Sequence, residues 1–193
     1  MACFLEIGFI NLDAAGGCSR GLTGPCPLIH LQQLIFVGQR AGERDRRLAR
    51  ERMLLDESGL PVGIIRPTLV YGAKDPHNGY GPNRFRRLAL DGKDITLFGD
   101  GEERRDHILV EDVGDLIKRM VMHRSAGVLN AATGEVHSFR DVAEMVRSRV
   151  RMRIMIKGSE RVGPMPHNGY RPFNPSATFY AFPDFRYTPL AEG

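Results

Sequence analysis

The chain predicts an α/β protein, and three observations carry that prediction. From residue 40 onward, short apolar runs of strand length alternate with longer stretches whose apolar residues recur at helical spacing. Gly, Pro and Asn clusters separate the two kinds of segment. The run Val-Gly-Ile-Ile at 62–65 is continuous rather than alternating, as expected of a strand buried on both faces. Strands interleaved with helices are the pattern of a layered α/β domain.

At 193 residues the chain can build one sizeable core, or one domain with an appendage. A hydrophobic content of 42% with 26% charged residues is ordinary for a globular domain. The formal net charge is +4, which suits anionic partners but equally a basic solvated surface. Cys3, Cys18 and Cys26 are odd in number and form no Cys-x-x-Cys pair, which argues against a disulfide framework and a zinc site. They read as free thiols of a cytoplasmic protein. The histidines are scattered without ligand spacing, so no metal is expected. No uncharged apolar run reaches membrane-spanning length, and residues 1–15 carry Glu6 without a basic leader region. Neither a membrane partner nor a secretory leader is expected.

Charge divides the chain. Residues 1–39 carry only Glu6, Asp13 and Arg20, and they hold all three cysteines. They are set apart as an atypical, poorly structured segment, and residues 40–193 as the domain proper. Within the first segment, apolar runs lie at 4–12 and 34–37, the second a candidate strand ending at Gly38. Its glycines match neither the Gly-x-Gly-x-x-Gly fingerprint nor a P-loop.

A helix is predicted over 42–58, with Leu48, Met53, Leu54 and Leu55 as its apolar stripe and Gly59 as its stop. Arg44, Arg47, Arg50, Glu51 and Arg52 supply the polar face, Arg47 and Glu51 being an i,i+4 pair. The six arginines from 40 to 52 could contact nucleic acid. Interleaved acids and the lack of aromatic residues favour a solvated face, and no nucleic-acid partner is expected. A turn at Pro61 leads to a strand closed by Pro67, then to an extended piece over 69–72 and a loop over 73–83. The spacing next predicts a helix over 84–90, a strand over 95–98, a turn at Gly99-Asp100-Gly101 and a strand over 108–110. Asp112 then reads as the cap of a helix with Val113, Leu116, Ile117, Met120 and Val121 on its buried face. A strand over 128–131 precedes Ser138 and Asp141, a capping-box pair opening a helix with Phe139, Val142, Val146 and Val150 inward. The alternation over 151–156 suits a strand with one wet face, and the tail beyond it reads as irregular. The pentapeptide PHNGY occurs at 76–80 and at 166–170. Either both copies are ordinary Asn-Gly turns, or two loops present His77, Tyr80, His167 and Tyr170 to one site; turn chemistry alone accounts for the Asn-Gly.

Taken in order, RPTLVYG (66–72), GPNRF (81–85), ITLFGDGEERRDHILVEDV (95–113) and VLNAATG (128–134) resemble the extended short-chain dehydrogenase/reductases. This is the family of NAD-dependent epimerases and dehydratases acting on nucleotide sugars. RPFN (171–174) is similar to that family's late Arg-Pro-Gly-Asp-type motif. The resemblance runs from about Arg47 to the end of the chain. It implies the C-terminal portion of a Rossmann-type fold with its substrate-binding subdomain, the cofactor half being largely missing ahead of it. It further implies NAD(P) as cofactor, with Pro67 and Thr68 at the strand end facing the nicotinamide. The implied nucleotide-sugar contacts are Asn83, Arg105 and Arg171. Guanidinium forks suit diphosphate oxygens. Arg104 and Asp106 are expected to set local structure, and His77 and His107 to be loop and strand residues.

The departures bear on activity. The family places Tyr-x-x-x-Lys at the start of the helix leading into Leu48, and those two places hold Glu43 and Arg47. A carboxylate cannot act as the phenol does at neutral pH. Leu69 stands where many members have Asn, and Ala73 where Pro is usual. Two readings follow: a truncated epimerase/dehydratase, inactive or weak alone and with doubtful cofactor binding, or a non-catalytic nucleotide-sugar-binding module. The second could pair, as a homo- or hetero-oligomer, with a related full-length chain.

Overall fold

The computed structural model describes residues 4–10, 35–37, 43–57 and 62–193. Strand β1 (Phe4–Ile10) and β2 (Ile35–Val37) precede helix α1 (Glu43–Glu57), then β3 (Val62–Pro67), β4 (Leu69–Tyr71) and α2 (Pro82–Leu90). β5 (Ile95–Phe98), β6 (Arg104–Leu109), α3 (Val110–Met122), β7 (Gly127–Ala131) and β8 (Val136–Ser138) follow. The chain continues through α4 (Phe139–Arg149), β9 (Ile156–Ser159), a 3₁₀ turn (Pro166–Gly169), β10 (Tyr170–Arg171) and α5 (Ser176–Ala181). The predicted stop at Gly59 and turn at Pro61 lie outside the described residues.

One sheet has the order β2-β1-β3-β7, with β3 and β7 parallel and β1 antiparallel to both neighbours. In a second, β6 is flanked by the parallel strands β4 and β10 and extended by antiparallel β8. β5 and β9 form a third, parallel pair. Two clusters make the core. Ile65, Leu129 and Ala131 meet Ile108, the α3 residues Val113, Leu116 and Met120, and Phe182 and Phe185. Phe85 and Ala89 of α2 meet Ile95 and Leu97 of β5, Phe139, Val142 and Ala143 of α4, and Ile154. Gly63 lets α3 approach β3: a Cβ there would lie 2.7 Å from the Met120 methyl and 2.8 Å from the Ser125 carbonyl oxygen.

Four expectations are corrected. The apolar stripe of α1 is inverted: Leu48, Met53, Leu54 and Leu55 are exposed while Glu51 is buried. The reason is Arg66, whose Nε donates to both Glu51 carboxylate oxygens at 3.1 and 2.9 Å and whose Nη2 donates to one of them. Glu51 therefore pairs across to β3, while the side chain of its expected partner Arg47 lies outside the described residues. The strand expected over 108–110 begins four residues earlier and runs directly into α3, so that Leu109, not Asp112, is the N-cap. The carboxylate of Asp112 instead accepts from Thr188 N–H (2.7 Å) and Thr188 Oγ1 (2.9 Å), pinning the C-terminal tail. The alternating stretch over 151–156 becomes a strand only at Ile156. The Asp94 side chain takes the Met155 N–H at 2.9 Å, which delays the ladder with β5. The tail, expected to be irregular, contains β10 and α5. The Ser138–Asp141 capping box forms as expected, with both reciprocal bonds at 3.0 Å.

Candidate functional site

β6 organises the site because its neighbours on both sides are fixed by register. Arg105 lies opposite Arg171 of β10 on one side and His137 of β8 on the other. Adjacent strands are about 4.8 Å apart, so the two predicted phosphate-binding arginines come from directly opposed positions. Arg105 is buried, and its guanidinium is engaged. Nη2 donates to Glu103 and, at 3.0 Å, to the Pro166 carbonyl, while Nη1 donates to its neighbour's carbonyl at 3.0 Å. Burial lowers its pKa below the ordinary arginine value and the Glu103 charge opposes that shift. Arg161 reaches the same carboxylate at 3.6 Å. Arg171 is half-buried, hydrogen-bonds His167 Nε2 at 3.0 Å and stacks over Phe173 at 5.2 Å. Arg171 is thus the more exposed of the two and Arg105 the more buried.

Asp106 holds the turn after β7. Its carboxylate accepts from Thr133 N–H (3.1 Å), Thr133 Oγ1 (2.9 Å) and Gly134 N–H (2.8 Å). Burial raises its pKa, and these donors act against the rise. Asp106 thus sets local structure as expected, and Arg104 does so at the start of the strand, lying 5.8 Å from the Tyr170 ring. Pro67 ends β3 opposite Ala131. Thr68 is buried, donates its hydroxyl to the Asp106 carbonyl, accepts from Leu69 N–H, and donates its own N–H to Ala131 at 3.1 Å. Thr68 therefore offers backbone position rather than a spare hydroxyl. Asn83 is half-buried at the start of α2, and its Oδ1 accepts from Gly72 N–H at 3.1 Å, latching the loop to β4. Glu43 and Arg47 lie in the first turns of α1, one helical turn apart; their side chains lie outside the described residues.

The two PHNGY copies serve different ends. Asn78 and Asn168 both take left-handed φ, 49° and 51°, as the turn reading requires. Tyr80 enters an aromatic cluster with Phe85, Phe98 and Phe139 at centroid distances of 5.1, 4.5 and 4.7 Å. Tyr170 is exposed beside Arg104.

His107 carries more than a strand residue's interest. It is 2% exposed, sits 5.7 Å from Phe139 in edge-to-face contact, and neither ring nitrogen has a hydrogen-bond partner among the described residues. Burial, then the nearby His137, push its pKa from 6.5 to about 3, and an interaction with the Arg105 backbone only partly offsets them. Its register neighbour on β4 is Leu69, which has no polar group to offer. A cavity of about 210 Å³ lies against it, lined also by Thr133, Glu135, His137, Arg186 and Tyr187. Sequence reading missed this cavity because its walls come from β6, the turn after β7, β8 and the tail.

For a dinucleotide, the described residues supply the strand end at Pro67–Thr68. A pyrophosphate also needs glycine-lined backbone at a helix N-terminus. Described helices open at Glu43, Pro82, Val110, Phe139 and Ser176, none with a Gly-x-Gly-x-x-Gly turn. Among the described residues the pyrophosphate cradle is therefore not supplied.

Parallel strands joined through helices make this a partial Rossmann-type α/β fold. It resembles the nucleotide-sugar epimerases and dehydratases. Residues 47–132 match the model of the NAD dependent epimerase/dehydratase family. A UDP-N-acetyl-alpha-D-glucosaminuronate decarboxylase of Bacillus cytotoxicus is 38% identical over 90 residues, covering 45% of this chain and 28% of that protein. A dTDP-4-dehydro-6-deoxy-D-allose reductase of Streptomyces bikiniensis is 33% identical over 111 residues, covering 54% and 32%. Among solved structures, Pal from Bacillus thuringiensis superposes with a TM-score of 0.66 at 25% identity, covering 77% of this chain and 49% of that one. A UDP-N-acetylglucosamine 4-epimerase from Methanobrevibacter ruminantium, in complex with UDP-N-acetylmuramic acid, has a TM-score of 0.65 at 18% identity, covering 85% and 53%. The chain thus spans under a third of the curated relatives it matches and about half of these solved structures. No described helix is long and apolar enough to cross a membrane.

Proposed function

We propose that this chain is the nucleotide-sugar-binding portion of an NAD-dependent epimerase/dehydratase-type protein, with little or no turnover by itself. The observation that carries the reading is the opposed pair Arg105 and Arg171 on adjacent parallel strands. Two guanidinium groups so placed can share a diphosphate, Arg171 from its more exposed position and Arg105 from its more buried one, each offering planar donor pairs to phosphate oxygens. A bound diphosphate takes over the charge balance that Glu103 now provides to Arg105. Asn83 borders the loop on the substrate side, and Pro67 and Thr68 form the end wall toward a nicotinamide. NAD(P), when bound in an intact relative, supplies the hydride chemistry. In this chain Glu43 and Arg47 stand where the family's tyrosine and lysine act, and neither can serve as a phenolic acid/base at neutral pH.

The experiment is calorimetry with UDP- and dTDP-sugars on the wild type and on Arg105→Ala and Arg171→Ala. Losing one charge-assisted contact of about 1.5–3 kcal/mol weakens binding by roughly tenfold to a hundredfold in each variant. Wild-type heat that survives both substitutions, or no heat at all, removes the reading. Glu43 also favours a second reading, a non-catalytic binding module that pairs with a related full-length chain. That reading is supported if the chain co-elutes with such a relative and alters its sugar affinity without turning substrate over itself.

A further inference from the structure

A second surface, away from β6, has chemistry that the nucleotide-sugar reading does not use. Between Glu144 and Glu160 the chain carries Arg147, Arg149, Arg151, Arg153 and Lys157 with no acidic residue among them. Three of these charges are occupied: Arg147 by Glu144 at 2.5 Å, Lys157 by Asp94 at 2.6 Å, and Arg149 by the Ala191 carbonyl. Arg151 and Arg153 are exposed and have no ion pair or side-chain hydrogen bond among the described residues. Met152 and Met155, 47% and 52% exposed, lie between and beside them. These side chains are not a flat face. Arg147, Met152, Arg153, Met155 and Lys157 line a shallow groove of about 490 Å³ whose floor includes Ile154 and Ile156. β9 enters it with Ile156 and Lys157; among the described residues β9 pairs with β5 and, through Ser159, with Gly99 just beyond it, and no other strand pairs with its outer edge.

We propose that this groove docks an extended acidic peptide segment of a partner protein, added as a strand to the outer edge of β9. The open ladder supplies sequence-independent hydrogen bonds, as in other strand-addition interfaces. Arg151 and Arg153 offer forked donors that match carboxylates. The two methionines give a polarizable, adaptable apolar contact for the intervening side chains. An open edge that is long, flat and apolar aggregates; this one is short and cationic, so it repels a second copy of itself and selects an acidic partner. Nucleic acid fits less well because no aromatic ring lines the groove for base stacking. A bilayer fits less well because the surface is concave.

The test uses the full chain and fluorescence anisotropy with a labelled alternating Glu-Val peptide of about 12 residues, long enough to span a strand edge. A Lys-Val peptide, an oligodeoxythymidylate and phosphatidylserine vesicles are the comparison probes. The Glu-Val peptide binds at least about tenfold tighter than the Lys-Val peptide, and added salt weakens it. The double reversal Arg151→Glu/Arg153→Glu, at exposed unpaired positions, lowers the affinity by about tenfold or more. Met152→Gln/Met155→Gln lowers it severalfold, with circular dichroism unchanged in both. Equal binding of the two peptides, wild-type affinity in the charge reversal, or tighter binding of the oligonucleotide or the vesicles overturns the proposal. Nucleotide-sugar calorimetry on the same variants stays at the wild-type value, which separates this groove from the Arg105–Arg171 site.

Discussion

Lowering the pH from 7 to 5 is expected to remove about 2 kcal/mol of folding stability through His107 alone. The ring is buried between Leu69 and Phe139 with both nitrogens unpartnered, and burial holds its pKa near 3 in the folded chain against 6.5 when unfolded. Between those two values the unfolded chain takes up a proton that the native chain refuses. Stability is therefore full above about 6.5 and falls progressively toward 3. The slope approaches about 1.4 kcal/mol per pH unit once the unfolded imidazole is mostly protonated, and pH 5 lies well inside that window. The assay is urea unfolding at pH 7, 6 and 5 for the wild type and for His107→Phe, which keeps an aromatic ring against Phe139. Asp94, Glu102, Asp141 and Asp184 have lowered pKa values, so their contributions disappear only at more acidic pH. Asp106, whose pKa is raised, acts in the opposite sense, gaining stability as pH falls through its folded value; it is shared by both chains and subtracts out. The wild type loses about 2 kcal/mol more than His107→Phe over this interval. Parallel pH profiles for the two would refute the reasoning, because they would mean that His107 is solvated or hydrogen-bonded after all.

Two stability predictions accompany the binding and docking tests given above. Asp106→Ala removes three hydrogen bonds to Thr133 and Gly134 and costs about 2–4 kcal/mol by urea unfolding, while Asp106→Asn, which keeps one acceptor oxygen, costs less. Equal stability of Asp106→Ala and wild type would mean that the turn holds without the carboxylate. Ser138→Ala breaks the capping box of α4 and lowers stability by about 1 kcal/mol, with amide exchange accelerating first at the start of that helix.

Elements with strong local signals were legible in the chain itself. The periodicity of α3, the capping box of α4, the Gly99–Gly101 turn and the buried run of β3 each depend on residues within a few positions of one another. Errors arose where a distant group intervened. Glu51 reads as part of a solvated helix face until β3 brings Arg66 to it from fifteen residues away. Asp112 reads as a helix cap until Thr188, seventy-six residues on, claims its carboxylate. The alternation over 151–156 reads as a strand until the Asp94 side chain takes the Met155 amide. The same division holds at the site. Motif order singled out Arg105 and Arg171 as candidates, whereas their opposition across β6 and β10 follows from the ladder alone.

By itself the sequence determined the α/β class and the resemblance to nucleotide-sugar epimerases and dehydratases. Those features are local in chain position, and local propensities and motif order are enough to express them. The tertiary structure decided which charges are spent on the fold. Arg105 is tied to Glu103 and Pro166, Arg171 meets His167 and Phe173, Arg151 and Arg153 are exposed, and His107 is left without a hydrogen-bond partner among the described residues, in register with Leu69. Hydrogen-bond satisfaction depends on which residues long-range register brings together, and no local pattern encodes that.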